Sequence, residues 1–121
     1  MQFLNRSVLV FSARGALALS AWAFAATAAA QETVSVGTVT RLTPHSGDVV
    51  IFNISGSRAN SPACSSQGSE WALSLTTPTG RAMYAMLLAA NTQNRAVRVV
   101  GWGTCLSWTQ RAEPGWMQIE N

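Results

Sequence analysis

The two cysteines, Cys64 and Cys105, constrain the fold of this 121-residue chain more than any other feature. An even number of cysteines in an exported protein is typical of disulfide bonding, and two cysteines allow only one pairing. Such a bond closes a loop of about 41 residues and stabilises the fold by roughly 4 kcal/mol through the entropy of the unfolded chain. Free or metal-binding thiols are the alternative, but no second cysteine or histidine lies nearby at ligand spacing.

Export is predicted from the first 30 residues. Two arginines and no acid lie near the start, a short apolar stretch follows, and alanines at positions 28–30 form a small-residue cleavage site. We therefore predict a signal peptide over residues 1–30, cleavage before Gln31 and a secreted or periplasmic product. A membrane anchor is the alternative, but the uncharged run falls short of the roughly 18 residues that a span needs. After cleavage we expect no membrane association.

Residues 31–121 are predicted to form a single domain that is nearly neutral. This part has six arginines, no lysine and five acidic residues, so its formal net charge is +1 with His45 neutral. Nucleic-acid binding depends on neutralising many phosphates with basic side chains. We therefore predict no nucleic-acid partner.

Alternating apolar residues predict three strands in the first half of the domain. Residues 34–42 form the first, and a turn at residues 44–47 joins it to the second as an antiparallel hairpin. A loop pinned by Cys64 leads to the third. The side chains predicted to share a face are Val34, Val36, Thr38, Thr40 and Leu42 in the first strand, Val50, Phe52 and Ile54 in the second, and Trp71, Leu73 and Leu75, pointing inward, in the third.

One helix and two further strands complete the predicted domain. Thr77 can cap the helix, Pro78 suits its first position, and residues 91–94 end it. Strands at residues 95–101 and 116–120 follow, with a bend at residues 101–103. The side chains expected to face the core are Ala82, Met83, Met86, Leu87 and Ala90 in the helix, Val97 and Val99 in the fourth strand, and Met117 and Ile119 in the fifth.

The order β-β-β-α-β-β within about 90 residues predicts a mainly β fold with one helix. More specifically, it predicts a small OB-fold-like barrel whose helix closes one end. The alternative is an α+β two-layer sandwich in which the helix lies across a flat sheet.

Several short motifs also link the chain to a known family. They are Ala63-Cys64-Ser65, Trp71, Ser74, Ala82 and Ala96-Val97-Arg98-Val99. In this stretch, residues 38–99, the chain resembles the pentamer-forming B subunits of exported bacterial toxins, particularly the subtilase cytotoxin type. The resemblance implies an OB-fold and glycan recognition. The family's sugar-contacting residues have no matching positions here and Cys105 departs from its cysteine pattern, so no functional residue is carried over and the oligomeric state stays open.

Catalytic groups are scarce. The single histidine, His45, shares a turn with Ser46 and Asp48, but neighbouring turn positions point their side chains apart and cannot form a triad. The five acids show no spacing that singles out a glycosidase pair, and no cluster has metal-ligand spacing. We therefore predict a protein that is not an enzyme and has no catalytic residue, metal or cofactor.

Tryptophans and arginines remain as candidate binding residues. Trp102, Trp108 and Trp116 lie in a glycine-rich and polar region where strand alternation does not force them inward, so they are candidates to stack on a sugar. Packing over an open barrel end is the alternative. Arg98 is predicted to face outward, where it suits an acidic sugar or a carboxylate. Arg58 and Arg111 lie in loops and are expected to be solvated.

The preferred function is therefore a non-catalytic exported binding module that recognises a glycan or a protein surface. The alternative is a small periplasmic structural or inhibitory protein that acts on another exported factor. The sequence leaves the identity of the ligand open.

Overall fold

The strands of the domain form two three-stranded antiparallel sheets, accompanied by one helix. A computed structural model describes residues 31–121, and the predicted signal peptide lies outside the described residues. One sheet has the strand order β1-β5-β6 and the other the order β2-β3-β4. The elements are β1 (Thr33–Gly37), β2 (Val39–His45), β3 (Val49–Ile54), β4 (Trp71–Ser74), α1 (Pro78–Thr92), β5 (Val97–Gly101) and β6 (Pro114–Ile119). This confirms a mainly β fold with one helix between the third and fourth predicted strands. The described strands form two sheets rather than the single flat sheet of the α+β alternative.

The first predicted strand is divided between the two sheets at Thr38. β1 pairs with β5, whereas β2, which begins one residue later, pairs with β3. Ser55 holds the division in place: its side-chain oxygen accepts from the backbone N–H of Thr38 at 2.9 Å, and its own N–H donates to the Thr38 carbonyl at 2.9 Å. The predicted hairpin is confirmed as the β2–β3 pair, with its turn at residues 46–48.

The buried side of β1 is not the side that carries its valines. Thr33 and Ser35 are buried, whereas Val36 is exposed. Both buried hydroxyls have partners: Thr33 donates to the carbonyl of Asn60 at 2.7 Å, and Ser35 accepts from Trp71 Nε1 at 3.0 Å. Because each polar group is hydrogen-bonded, burying it costs little, and the valines of β1 are left on the outer face.

The main core lies where the predicted alternation places it in β3, β4 and β5. The rings of Phe52 and Trp71 stack with their centroids 6.3 Å apart. Around them are the buried side chains of Val50, Ile54, Leu73, Leu87, Ala90, Val97, Val99, Ala112 and Met117, with Leu75, Met83, Met86 and Ile119 partly buried against them.

The helix begins as predicted. Pro78 takes the first helical position, and the Thr77 hydroxyl accepts a hydrogen bond from the Gly80 N–H at 3.0 Å. Gly80 is needed because any Cβ there would overlap the carbonyl oxygen of Ser74. Ala82 is exposed, so its predicted place in the buried stripe is wrong, whereas Leu87 and Ala90 are buried as expected.

A disulfide joins Cys64 to Cys105, with 6.1 Å between their Cα atoms. It fastens the loop between β3 and β4 to the loop between β5 and β6. Backbone hydrogen bonds reinforce this link, since the N–H groups of Ser66 and Gln67 both donate to the carbonyl of Gln110 at 3.1 Å. The predicted pairing is therefore present in the structure.

Two arginines that were expected to be solvated have structural roles. The Arg58 guanidinium lies 4.4 Å from the centre of the Trp71 ring and donates to the carbonyls of Gly68 and Glu70. Burial lowers the pKa of Arg58 to about 10, so its guanidinium is still charged at neutral pH. Arg111 forms an ion pair with Glu70 at 2.5 Å. The prediction failed here because the sequence does not show which carbonyls and rings surround a loop arginine.

Within residues 31–121, no helix has the length and hydropathy that crossing a membrane requires.

Candidate functional site

In the strands of the β1–β5–β6 sheet, the exposed aromatic and apolar side chains lie on the outer face, which points away from the core. Val99 and Met117 point into the core, so their strand neighbours Val100 and Trp116 point to the opposite, outer side. These two are cross-strand partners, and Val34 pairs with Val100 from the other edge. Val100 is buried at 2% exposure, whereas Trp116 is 37% exposed. A row of apolar side chains therefore crosses the sheet and ends on a partly open indole.

Arg98 lies on the same face, one row further along. Its cross-strand partners are Val36 on β1 and Gln118 on β6. The Arg98 Nε atom donates to Glu120 Oε1 at 2.7 Å, and the side chain is 41% exposed. Within residues 31–121, neither terminal guanidinium nitrogen of Arg98 has a hydrogen-bond partner. The ion pair therefore orients the guanidinium and leaves its outer donors open for an anion.

Trp102 lies at the end of the same sheet. It follows the last residue of β5 and is 57% exposed. Its indole lies over Gly115, the residue before Trp116, where a Cβ would overlap the ring. Because Gly115 has no side chain, the Trp102 ring can pack against the β6 residue that precedes Trp116. We refer to the outward-facing residues Val36, Arg98 and Trp116, together with Trp102 at the end of the sheet, as the aromatic face.

Trp108 lies elsewhere. It packs on the outer face of the β2–β3–β4 sheet, against the buried side chains of Val49, Ile51 and Ala72. Its ring centroid is 5.5 Å from that of His45. Trp102 therefore packs at the start of β6, next to Trp116 in the sequence, whereas Trp108 packs on the apolar outer face of the β2–β3–β4 sheet. A ligand-binding role for any of the three stays a prediction.

A half-open cavity of about 250 Å³ lies between the start of the helix and the loop that precedes β6. Its lining includes Leu73, Met83, Pro114 and the carboxylate-bearing residue Glu113. Glu113 accepts hydrogen bonds from the Ser107 N–H at 3.0 Å, from the Ser107 hydroxyl at 2.6 Å and from the Thr104 hydroxyl. The Glu113 carboxylate is therefore occupied by hydrogen bonds from its own loop rather than available to a ligand.

Two opposing effects act on Glu113. Burial raises the pKa of its carboxyl, whereas the hydrogen bonds from Ser107 and Thr104 lower it, and the net pKa is below the ordinary value of 4.5. The side chain is therefore ionised at neutral pH. The sequence does not single out Glu113, because its hydrogen-bond donors lie six and nine positions away in a loop without periodicity.

The described part of the chain offers little for metal or triad chemistry. In residues 31–121, no three side chains of His, Cys, Asp or Glu are grouped so that they could hold a metal ion. His45 lies in β2 next to the turn and faces Trp108, while Ser46 and Asp48 are exposed. The prediction that the protein is not an enzyme stays a prediction.

Comparison of the chain with protein-family models, curated proteins and solved structures finds no match. The resemblance to toxin B subunits stays a prediction for the same reason.

Proposed function

We propose that this chain is an exported, non-catalytic binding module that recognises a carboxylate-bearing glycan through its aromatic face. The observation that carries the proposal is the exposed indole of Trp116 on the same sheet face as Arg98, whose terminal nitrogens are open. The disulfide supports export, because such bonds persist in oxidising compartments.

The fold we propose is an open OB-type barrel. Two contacts between the sheets support it. β1 passes into β2 after a single residue, and the far edges meet where Trp71 and Ala112 form a parallel bridge, with the Ala72 N–H donating to the Ala112 carbonyl at 2.9 Å. In a partly open barrel the strands continue from one half to the other in this way.

An acidic sugar fits the chemistry of the aromatic face. One side of a sugar ring presents C–H groups that pack on an indole, and amphipathic aromatic rings favour such half-wet contacts. A guanidinium whose outer nitrogens are free can donate two parallel hydrogen bonds to a carboxylate. Trp116 therefore supplies contact area, while Arg98 selects for charge.

The test is binding to an array of neutral and carboxylate-bearing glycans, followed by calorimetry on the best ligand and on its neutral methyl ester. Trp116→Ala should weaken binding at least about tenfold, as expected for the loss of an aromatic anchor. Arg98→Gln should remove the preference for the acid over its ester.

Glu120→Gln is the matched control for Arg98→Gln. It breaks the same ion pair but keeps the guanidinium, so the preference for the acid should remain. An array on which no glycan binds would contradict the proposal, as would binding that is unaffected by both Trp116→Ala and Arg98→Gln.

A further inference from the structure

The outward row of side chains on β6 continues beyond Trp116. Side chains alternate along a strand and Met117 points into the core, so Gln118 lies on the same outer side as Trp116, about 7 Å further along. The pairing with the neighbouring strand extends to Glu120, whose N–H donates to the Ala96 carbonyl at 2.8 Å. Trp116, Gln118 and Glu120 therefore form one regular outward row.

Arg98 lies beside the middle of this row. It is the cross-strand partner of Gln118, so Trp116 and Glu120 are its diagonal neighbours on opposite sides. Such diagonal neighbours are roughly 7–8 Å apart. The ion pair between Arg98 Nε and Glu120 occupies one of these sides. Because like charges repel, a ligand carboxylate is best placed on the other side, where Trp116 lies.

The side-chain amide of Gln118 is available to the same ligand. The side chain is exposed and makes no hydrogen bond within residues 31–121, whereas the charged groups of Arg98 and Glu120 are bonded to each other. An amide has two N–H donors and one acceptor oxygen, so it can bind a hydroxyl group in either direction. Gln118 therefore places a neutral hydrogen-bonding group directly across from the guanidinium.

We infer that the glycan is a hexuronate, a sugar whose carboxylate is attached directly to the ring, and that Gln118 determines which hexuronate binds. The inference rests on the proposed function of the aromatic face. With the sugar ring stacked on Trp116, its carboxylate and one hydrogen bond of about 2.9 Å span the diagonal to Arg98. The hydroxyl on C4, the ring carbon next to the one that bears the carboxylate, is then the group that Gln118 binds.

The same arrangement disfavours a carboxylate on a long, flexible arm. Such an arm reaches past the open nitrogens of Arg98 towards Glu120, where the two carboxylates repel each other. Ordering the arm also costs conformational entropy on binding. Selectivity between hexuronates follows from Gln118, because glucuronate and galacturonate differ only in the orientation of the C4 hydroxyl.

The test is an NMR titration of the ¹⁵N-labelled protein, with its disulfide formed, against three methyl glycosides. Two are the glucuronide and the galacturonide, and the third is a glucoside that carries a carboxymethyl ether on its C6 oxygen. The wild type should bind one uronide at least about fivefold more tightly than the other, as expected for one hydrogen bond. It should bind the carboxymethyl ether at least about tenfold more weakly than the preferred uronide.

Gln118→Leu removes the amide and leaves Arg98 and Trp116 in place. The ratio of the affinities for the two uronides should fall to within about twofold. The preference for the preferred uronide over its methyl ester should remain, because the guanidinium is unchanged. Gln93→Leu is the matched control, since Gln93 is also exposed but lies at the C-terminal end of the helix, and it should keep the wild-type ratio.

Three results would overturn the inference: equal affinity of the wild type for both uronides, equal affinity for the carboxymethyl ether and the preferred uronide, or a wild-type ratio in Gln118→Leu. Binding of other carboxylate-bearing glycans that depends on Trp116 and Arg98, without binding of either uronide, would overturn it too but leave the proposed function intact. If no carboxylate-bearing glycan binds, the proposed function itself fails, and the inference fails with it.

Discussion

The two sheets both carry apolar outer faces, but the face of the β1–β5–β6 sheet leaves more of its side chains exposed. On the β2–β3–β4 sheet, Val49, Ile51 and Ala72 are buried beneath Trp108. On the β1–β5–β6 sheet, Val100 is buried, but Val36 and Trp116 are exposed. The covering ring belongs to a loop that the disulfide holds down. An apolar strand therefore does not identify a binding surface by itself, whereas exposed apolar side chains next to open polar donors form a candidate for one.

Removing the disulfide should have the largest effect on this difference. In a Cys64→Ser, Cys105→Ser variant we expect the free energy of unfolding to fall by about 4 kcal/mol, because a 41-residue loop is no longer closed in the unfolded chain. Urea denaturation measures this loss. Acrylamide quenching should also rise for Trp108. A change below about 1 kcal/mol would show that the hydrogen bonds to Gln110 hold the two loops together without the bond.

Trp108→Ala should have the next largest effect, since it uncovers the β2–β3–β4 sheet. We expect a loss of about 2–3 kcal/mol, near the lower end of the roughly 3–5 kcal/mol typical of truncating a buried aromatic, because Trp108 is only partly buried. Thermal and urea denaturation provide the measurement. A loss near zero would mean that the cover contributes little and that the two faces do not differ energetically.

Protonation of Glu113 should also destabilise this loop, but its effect on the free energy of unfolding should be smaller than that of Trp108→Ala. The pKa of Glu113 is lowered in the folded state, so its contribution to stability is present above the unfolded value of 4.5 and is lost as the pH falls through the lower folded value. We expect Glu113→Gln to lower the melting temperature at pH 7 and to match the wild type at acidic pH, where the wild-type carboxyl is also neutral.

Glu32→Gln is the matched control for Glu113→Gln, because the exposed Glu32 side chain makes no hydrogen bond within the described residues. It should melt like the wild type at every pH. A Glu113→Gln variant whose melting temperature differs from that of the wild type by the same amount at all pH values would contradict the role assigned to the ionised carboxylate.

Trp116→Ala should have the smallest effect on stability. Its ring is more exposed than that of Trp108, so we expect a loss of about 1 kcal/mol, below the roughly 3–5 kcal/mol typical of truncating a fully buried aromatic. Comparison with Trp108→Ala under the same conditions sharpens the contrast between the faces. A cost for Trp116→Ala as large as that for Trp108→Ala would show that Trp116 is structural.

Local signals in the sequence were sufficient for several elements. Thr77 followed by Pro78 marks a helix start by its own chemistry, and the alternation of Val50, Phe52 and Ile54 identifies the side of β3 that faces the main core. The disulfide followed from having only two cysteines. Each of these features depends on residues that are neighbours in the chain or have only one partner to choose.

The remaining features depend on partners that are distant in the sequence. Ser35 is buried because Trp71 donates to it from 36 positions away, and this reverses the apparent apolar side of β1. The division at Thr38 depends on Ser55 in the same way. In the candidate site, alternation identified the outward side of Arg98, but the open nitrogens beside Glu120 and the glycine beneath Trp102 became evident only in three dimensions.

The most direct test of ligand binding on the outer face of the β1–β5–β6 sheet is a titration with a carboxylate-bearing oligosaccharide, followed through the indole N–H signals of the ¹⁵N-labelled protein. We expect the signals of Trp116 and Trp102 to shift in a saturable way and those of Trp71 and Trp108 to stay fixed. Shifts of Trp108 with Trp116 and Trp102 unchanged would contradict the account, because the ligand would then bind the covered sheet.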